Sequence, residues 1–167
     1  MLEMRLASVR VERSTRTPIL LLQEAGGGKR ALPIYVGPAE AQAIAQAVQG
    51  VVPPRPMTHD LMRNLLEDLG AVVDCVVITE LRDRTFFAEI RLRAGGRAHQ
   101  VSARPSDAIA LAVRTSSAIY AEDALVDAEG VVLEPDDVDD EPEPGTDELV
   151  SEFKAFIEGI RPEDFEA

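Results

Sequence analysis

Over residues 2–36 apolar and polar positions alternate in short runs. Leu2, Met4 and Leu6 share one phase, while Val9 and Val11 share the other. A phase change within an alternating run predicts a strand near 3–13 with a bulge near Ala7-Ser8. Strands follow near 18–24 and 31–36, joined by the turn Gly26-Gly27-Gly28-Lys29. From Pro38 the period lengthens. Ala41, Ile44, Ala45 and Val48 recur at helical spacing, predicting a helix to about Gln49. A second helix is predicted from Thr58 to Leu69, with Leu61, Leu65 and Leu69 inward and Gly70 at its end. Strands then recur near 72–81, 85–93 and 97–103, with Ala94-Gly95-Gly96 as a turn. In the middle one, Phe86, Ala88, Ile90 and Leu92 alternate with Phe87, Glu89, Arg91 and Arg93, leaving one wet face. A helix from Pro105 to about Thr115 and a short one near 122–126 complete this part.

The two halves share this order, and they also share residues. Shifting the chain by 67 places Arg30-Ala31 on Arg97-Ala98, Pro38 on Pro105, and Ala41, Ala43 and Ala45 on Ala108, Ala110 and Ala112. Ile34, Glu40 and Ile44 fall on Val101, Asp107 and Leu111, giving six identities and three close replacements in 16 positions. The expected fold class is α+β: an internal duplication of a β3α2 unit, forming one mixed or antiparallel sheet with helices packed on it.

Charge changes this picture only at the C-terminal end. The formal net charge is −13, but residues 134–167 hold 14 acids and two bases. Residues 1–133 hold 16 acids and 15 bases, of which only Lys29 is a lysine. The body is therefore near neutral and arginine-rich. Its arginine forks suit bidentate contact with carboxylates or phosphates. The stretch 134–146 repels itself and carries prolines, so it is expected to be a disordered acidic linker. Leu149, Phe153, Phe156, Ile157 and Ile160 then fall on one face of an amphipathic helix expected at 147–167. Three segments result: a domain at 1–133, the linker, and a helix available to a protein partner.

Several function classes lose support. No apolar run reaches the ~18 residues of a membrane span, and the charged N-terminus does not resemble a secretory signal. A cytoplasmic protein with no membrane association is expected. The single cysteine, Cys75, excludes an internal disulfide, and it is expected to be buried and inert. His59 and His99 are the only histidines, and His99 takes the repeat position of Leu32 and is read as a strand residue. No P-loop follows the glycines, and there is no nucleophile elbow, zincin motif or Cys-x-x-Cys.

The residues that could carry chemistry stand where helices begin. Glu40 and Asp107 each follow a proline by two residues, in the third helical position. They either complement the helix dipole or face each other and hold Mg²⁺ or Mn²⁺, which carboxylates and water suit. Arg55 and Arg104 precede the second and third long helices. They either pair with nearby acids or bind an anion beside the free N–H groups. His59 and Asp60 stand together at the start of the second helix, where an imidazole could transfer a proton.

These clusters carry a resemblance. Leu32-Pro-Ile-Tyr-Val-Gly-Pro-Ala-Glu-Ala-Gln-Ala-Ile-Ala45, Pro54-Arg-Pro-Met-Thr-His-Asp-Leu61 and Ala103-Arg-Pro-Ser-Asp-Ala-Ile-Ala-Leu-Ala112 resemble the bifunctional nuclease domain family. So do Val76–Ile90 and Ala118-Ile-Tyr-Ala121, and the likeness spans 1–133. The resemblance implies a compact α+β domain that forms a homodimer or other homo-oligomer, and DNase and RNase activity on a nucleic-acid substrate. Chemistry rather than the family assigns the roles. Catalysis is expected from His59, Asp60 and Asp107, phosphate binding from Arg55 and Arg104, and Mg²⁺ or Mn²⁺ binding from Glu40 and Asp107, with no organic cofactor. The alternative is a non-enzymatic regulatory or anion-binding domain with a C-terminal interaction helix.

Overall fold

A computed structural model describes residues 1–12 and 15–133 of the chain. The expected linker at 134–146 and helix at 147–167 lie outside the described residues. The strands are β1 (Leu2–Val11), β2 (Pro18–Glu24), β3 (Arg30–Tyr35), β4 (Val72–Arg82), β5 (Thr85–Ala94), β6 (Arg97–Ala103), β7 (Ala118–Ala121) and β8 (Val131–Val132). The helices are α1 (Pro38–Val48), α2 (Thr58–Asp68), α3 (Pro105–Thr115) and α4 (Asp123–Glu129). The protein is α+β: the described residues form one eight-stranded mixed sheet in the order β6-β5-β4-β7-β1-β2-β3-β8, with four α-helices packed on it. Among the described residues only β4 and β7 run parallel.

The expected bulge is present. Leu6 pairs with Leu22 and Ser8 with Leu21, so Ala7 is the extra residue. It keeps Leu2, Met4, Leu6 and then Val9 against the core despite their change of phase. The core joins Leu20, Leu22, Leu32 and Ile34 of β2 and β3 to Val76 and Ile78 of β4, Ile44 of α1 and Ile109 and Leu111 of α3. Alternation puts these residues on one sheet face, where burial stabilises each large side chain by roughly 1.5–3 kcal/mol. Helix α3 is the most enclosed helix, buried from Ala108 through Ala112. Its alanines let α1 and α2 approach it closely, because the separation of packed helices follows the side chains at the contact. Among the described residues no helix is long and apolar enough to cross a membrane.

Helices α1 and α3 coincide residue for residue at an offset of 67. The second run differs from the first by β7, inserted between α3 and α4. This four-residue strand was not among the expected elements, yet it joins the two halves of the sheet through β1 on one side and β4 on the other. Strand β8, of two residues, was also unexpected.

The inward face of α2 is not the expected one. Leu61, Leu65 and Leu69 are exposed, Leu69 by 76%, whereas His59 is buried and Met62 and Leu66 pack on the core. Both stripes have helical spacing, so periodicity alone cannot choose between them. The polar tether described below decides. Val48, expected on the buried face of α1, is likewise exposed at that helix's last turn. Cys75 is only partly buried, and burial pushes its thiol up, keeping it protonated.

Candidate functional site

The first turns of α1, α2 and α3 supply a connected set of charged side chains. Pro38 and Pro105 occupy first helical positions, where their missing N–H costs nothing. Glu40 and Asp107 therefore fall in the first turn of each helix, near N–H groups that lack intrahelical partners. Arg104, just before α3, reaches both. Its Nε donates to Asp107 Oδ2 at 2.8 Å, Nη2 to Asp107 Oδ1 at 3.1 Å, and Nη1 to Glu40 Oε1 at 3.0 Å. On the far side of Asp107, His59 Nε2 lies 3.2 Å from Oδ1. Burial pushes the Asp107 carboxyl up, but the hydrogen bonds from Arg104 and His59 outweigh it and hold the group below the usual carboxylate range. An ionised carboxylate only accepts, so His59 Nε2 carries the hydrogen and its neutral form is the Nε2–H tautomer.

Gly37 makes room for this arrangement. A Cβ built there would stand 2.3 Å from Glu40 Oε2, so the carboxylate folds back over a residue with no side chain. At the repeat-related position stands Arg104 itself. One half contributes the space and the other the cation.

A second polar assembly lies beside the first. Asp60 Oδ1 accepts from Arg114 Nε at 2.5 Å, and Oδ2 accepts from the Met57 N–H at 3.0 Å. Arg114 also donates to the carbonyls of Ala43 in α1 and Ala110 in α3, at 3.1 and 3.0 Å. Its side chain is 6% exposed. Burial pushes the Asp60 carboxyl up, and the Arg114 and Met57 hydrogen bonds reverse that and lower it. This guanidinium ties α2 to α1 and α3, and so selects which face of α2 turns inward.

The predicted residues are thus placed unequally. Glu40, Arg104, Asp107 and His59 form one chain of contacts. Asp60 belongs to the neighbouring assembly, where both of its oxygens are engaged. Arg55 sits exposed in a bend, with no ion pair or hydrogen bond among the described residues. Two clefts flank the assemblies. One of about 270 Å³ is lined by Glu40 and Arg104, together with Tyr35, Arg84, Phe86 and Ser106. The other, of about 310 Å³, is lined by Asp60, Arg63, Asn64 and Arg114 among apolar residues. His59 and Arg55 line neither. Among the described residues no three His, Cys, Asp or Glu are arranged to hold a metal. The space between Glu40 and Asp107 holds the Arg104 guanidinium.

Arg114, Arg84 and Ser106 were not foreseen. Arg114 had a signal: it falls on Ala47 in the 67-residue register, a charge where the first half has a methyl group. Arg84 lies in a hairpin turn, where charged residues are ordinary.

Residues 20–134 match the bifunctional nuclease domain. The chain belongs to that family. A protein of Mycobacterium tuberculosis, named only as an uncharacterized protein and found in two strains, is 43% identical over 166 residues, covering 99% of this chain and 98% of its own. Bifunctional nuclease 1 of Arabidopsis thaliana is 28% identical over 149 residues, 87% of this chain and 44% of its own. Bifunctional nuclease 2 of Oryza sativa subsp. japonica is 26% identical over 124 residues, 72% of this chain and 38% of its own. The chain therefore spans less than half the length of either plant relative.

Proposed function

We propose that this protein is a nuclease that cleaves phosphodiester bonds of DNA and RNA in the cleft lined by Glu40 and Arg104. The observation that carries the reading is Arg104, which lines that cleft and is hydrogen-bonded to two carboxylates beside two helix starts. A preorganised guanidinium stabilises the charge that develops on phosphate oxygens during displacement. Glu40 lines the same cleft, and its Oε2 is free of Arg104, so it accepts the proton of the attacking water as the new P–O bond forms; the P–O bond to the leaving oxygen breaks, and that oxygen takes its proton from solvent. Asp107 and His59 keep Arg104 aimed. His59 Nε2–H occupies the second lone pair of Asp107 Oδ1. The family match and the two plant bifunctional nucleases support the substrate class.

The donor set does not fit Mg²⁺ or Mn²⁺ as it stands. A divalent ion between Glu40 and Asp107 would have to displace Arg104, so no step here runs through one. Cleavage of labelled single-stranded DNA and RNA by the full chain, with Mg²⁺, with Mn²⁺ and with EDTA, tests the proposal. Arg104→Ala and Glu40→Gln should each lose about 100-fold or more. Undiminished cleavage by both variants would place the activity elsewhere.

A second reading draws on the same geometry. Glu40, Asp60 and Asp107 all carry arginine partners, as in a binding domain that holds an anionic ligand without turnover. In that case anions would raise the melting temperature while the strands stay intact.

A further inference from the structure

The cleft beside Arg104 holds more than the proposed reaction uses. Ser106, in the first turn of α3, is only 6% exposed and lines this cleft. Its hydroxyl makes no hydrogen bond among the described residues. The residue is enclosed while its hydroxyl oxygen stays accessible, so the hydroxyl is open to a ligand in the cleft. Its neighbours are donors: the Ser106 and Asp107 N–H groups belong to the unpaired start of α3, since the first helical bond there runs from the Ala108 N–H to the Arg104 carbonyl. Arg84, in the β4–β5 turn, lines the same cleft and has no ion pair among the described residues. Tyr35, at the end of β3, is 57% exposed and also lines this cleft. Two arginines, a hydroxyl and the first residues of a helix line one cleft, a combination that suits a phosphate. An exposed aromatic ring at its edge supplies a base-stacking surface.

We propose that this cleft takes one nucleotide of a single-stranded nucleic acid, with its phosphate on Arg84, Arg104 and Ser106 and its base stacked on Tyr35. The inference rests on the nuclease reading and adds to it the strand state and three residues outside the reacting set. A ring can stack only on a base whose face is free, which a paired and stacked duplex does not offer. At about 270 Å³ the cleft falls just below the roughly 300–1,000 Å³ of ligand pockets, which leaves room for no more than one nucleotide.

Binding is measured on the full chain in EDTA, by fluorescence anisotropy of a short labelled oligothymidylate, and against a hairpin duplex of equal length. Thymidine 5′-monophosphate and inorganic phosphate serve as competitors. Arg84 has φ 60°, so Arg84→Gly removes the cation without straining the turn. The single strand should bind at least about 10-fold tighter than the duplex. Arg84→Gly, Ser106→Ala and Tyr35→Ala should each weaken it, Tyr35→Ala by roughly 5- to 150-fold. Arg84→Gly should also flatten the salt dependence. Arg97→Ala, at the opposite end of β6, should change neither. Equal affinity for duplex and strand, or wild-type binding by all three variants, overturns the inference. So does displacement of the strand by the free mononucleotide at equal affinity, which would make the ligand a metabolite. A strand bound as described but never cut leaves the inference standing and removes the nuclease reading. Cutting that is indifferent to all three variants does the reverse, and the absence of both binding and cutting removes both.

Discussion

Asp60 and Arg114, 54 residues apart in the chain, meet in an ion pair of 2.5 Å, and the Arg114 side chain is almost wholly enclosed. Removing one partner of such a pair leaves the other charge buried and unmatched. Arg114→Met should therefore cost about 3–5 kcal/mol in urea unfolding. Asp60→Asn combined with Arg114→Met should cost less than the two single losses added, because the pair is lost only once. Additive losses would show that the contact is not a coupled pair.

Acid should unfold the protein partly through these carboxylates. Asp60 and Asp107 both titrate below the ordinary range of about 3.9 in the folded state. A depressed folded value contributes stability above the unfolded value, and that contribution is lost as pH falls through the folded one. Stability should be flat from neutrality to about pH 5 and then decline steeply below about pH 4. Asp60→Asn should shrink the decline, although it starts from lower stability. A decline of unchanged size would assign the acid lability to other groups.

Gly37 separates architecture from chemistry. Its φ of −71° suits any residue, and the atom that an added Cβ would meet is the end of the flexible Glu40 side chain. Gly37→Ala should change stability by less than about 1 kcal/mol while pushing Glu40 off Arg104. Under the proposed mechanism, cleavage should fall by about 10-fold or more with the melting curve nearly unmoved. Full activity would show that the folded-back carboxylate is dispensable.

The two stripes of α2 make opposite predictions. Leu61→Glu and Leu65→Glu sit on the exposed side and should each change stability by less than about 0.5 kcal/mol. Ile44→Ala, in the enclosed core, should cost about 2–5 kcal/mol. Large losses at Leu61 and Leu65 would mean that this stripe is covered in solution.

Much of the fold was legible in local patterns. Six strands and the three long helices follow from changes of period, and the β1 bulge follows from a single change of phase. These features depend on neighbours a few residues apart, which the chain order already contains. The shared positions of Glu40 and Asp107 could likewise be read by laying one half on the other.

What the chain order leaves open is decided by contacts between residues far apart. Leu61 and Leu66 carry equal helical credentials, and Arg114, reaching Asp60 and the Ala43 carbonyl, turns one in and the other out. Strand β7 is too short to announce itself, yet hydrogen bonds to β1 and β4 make it the seam of the sheet. Glu40 and Asp107 read equally well as caps or as a pair. Arg104 and Asp107 are close enough in the chain to pair locally, but that Glu40 joins them depended on packing α1 beside α3. By itself the sequence determined which local shapes are cheap for each segment. Tertiary structure decided which side of each segment meets which partner, because burial and charge pairing act across space and take no account of chain separation.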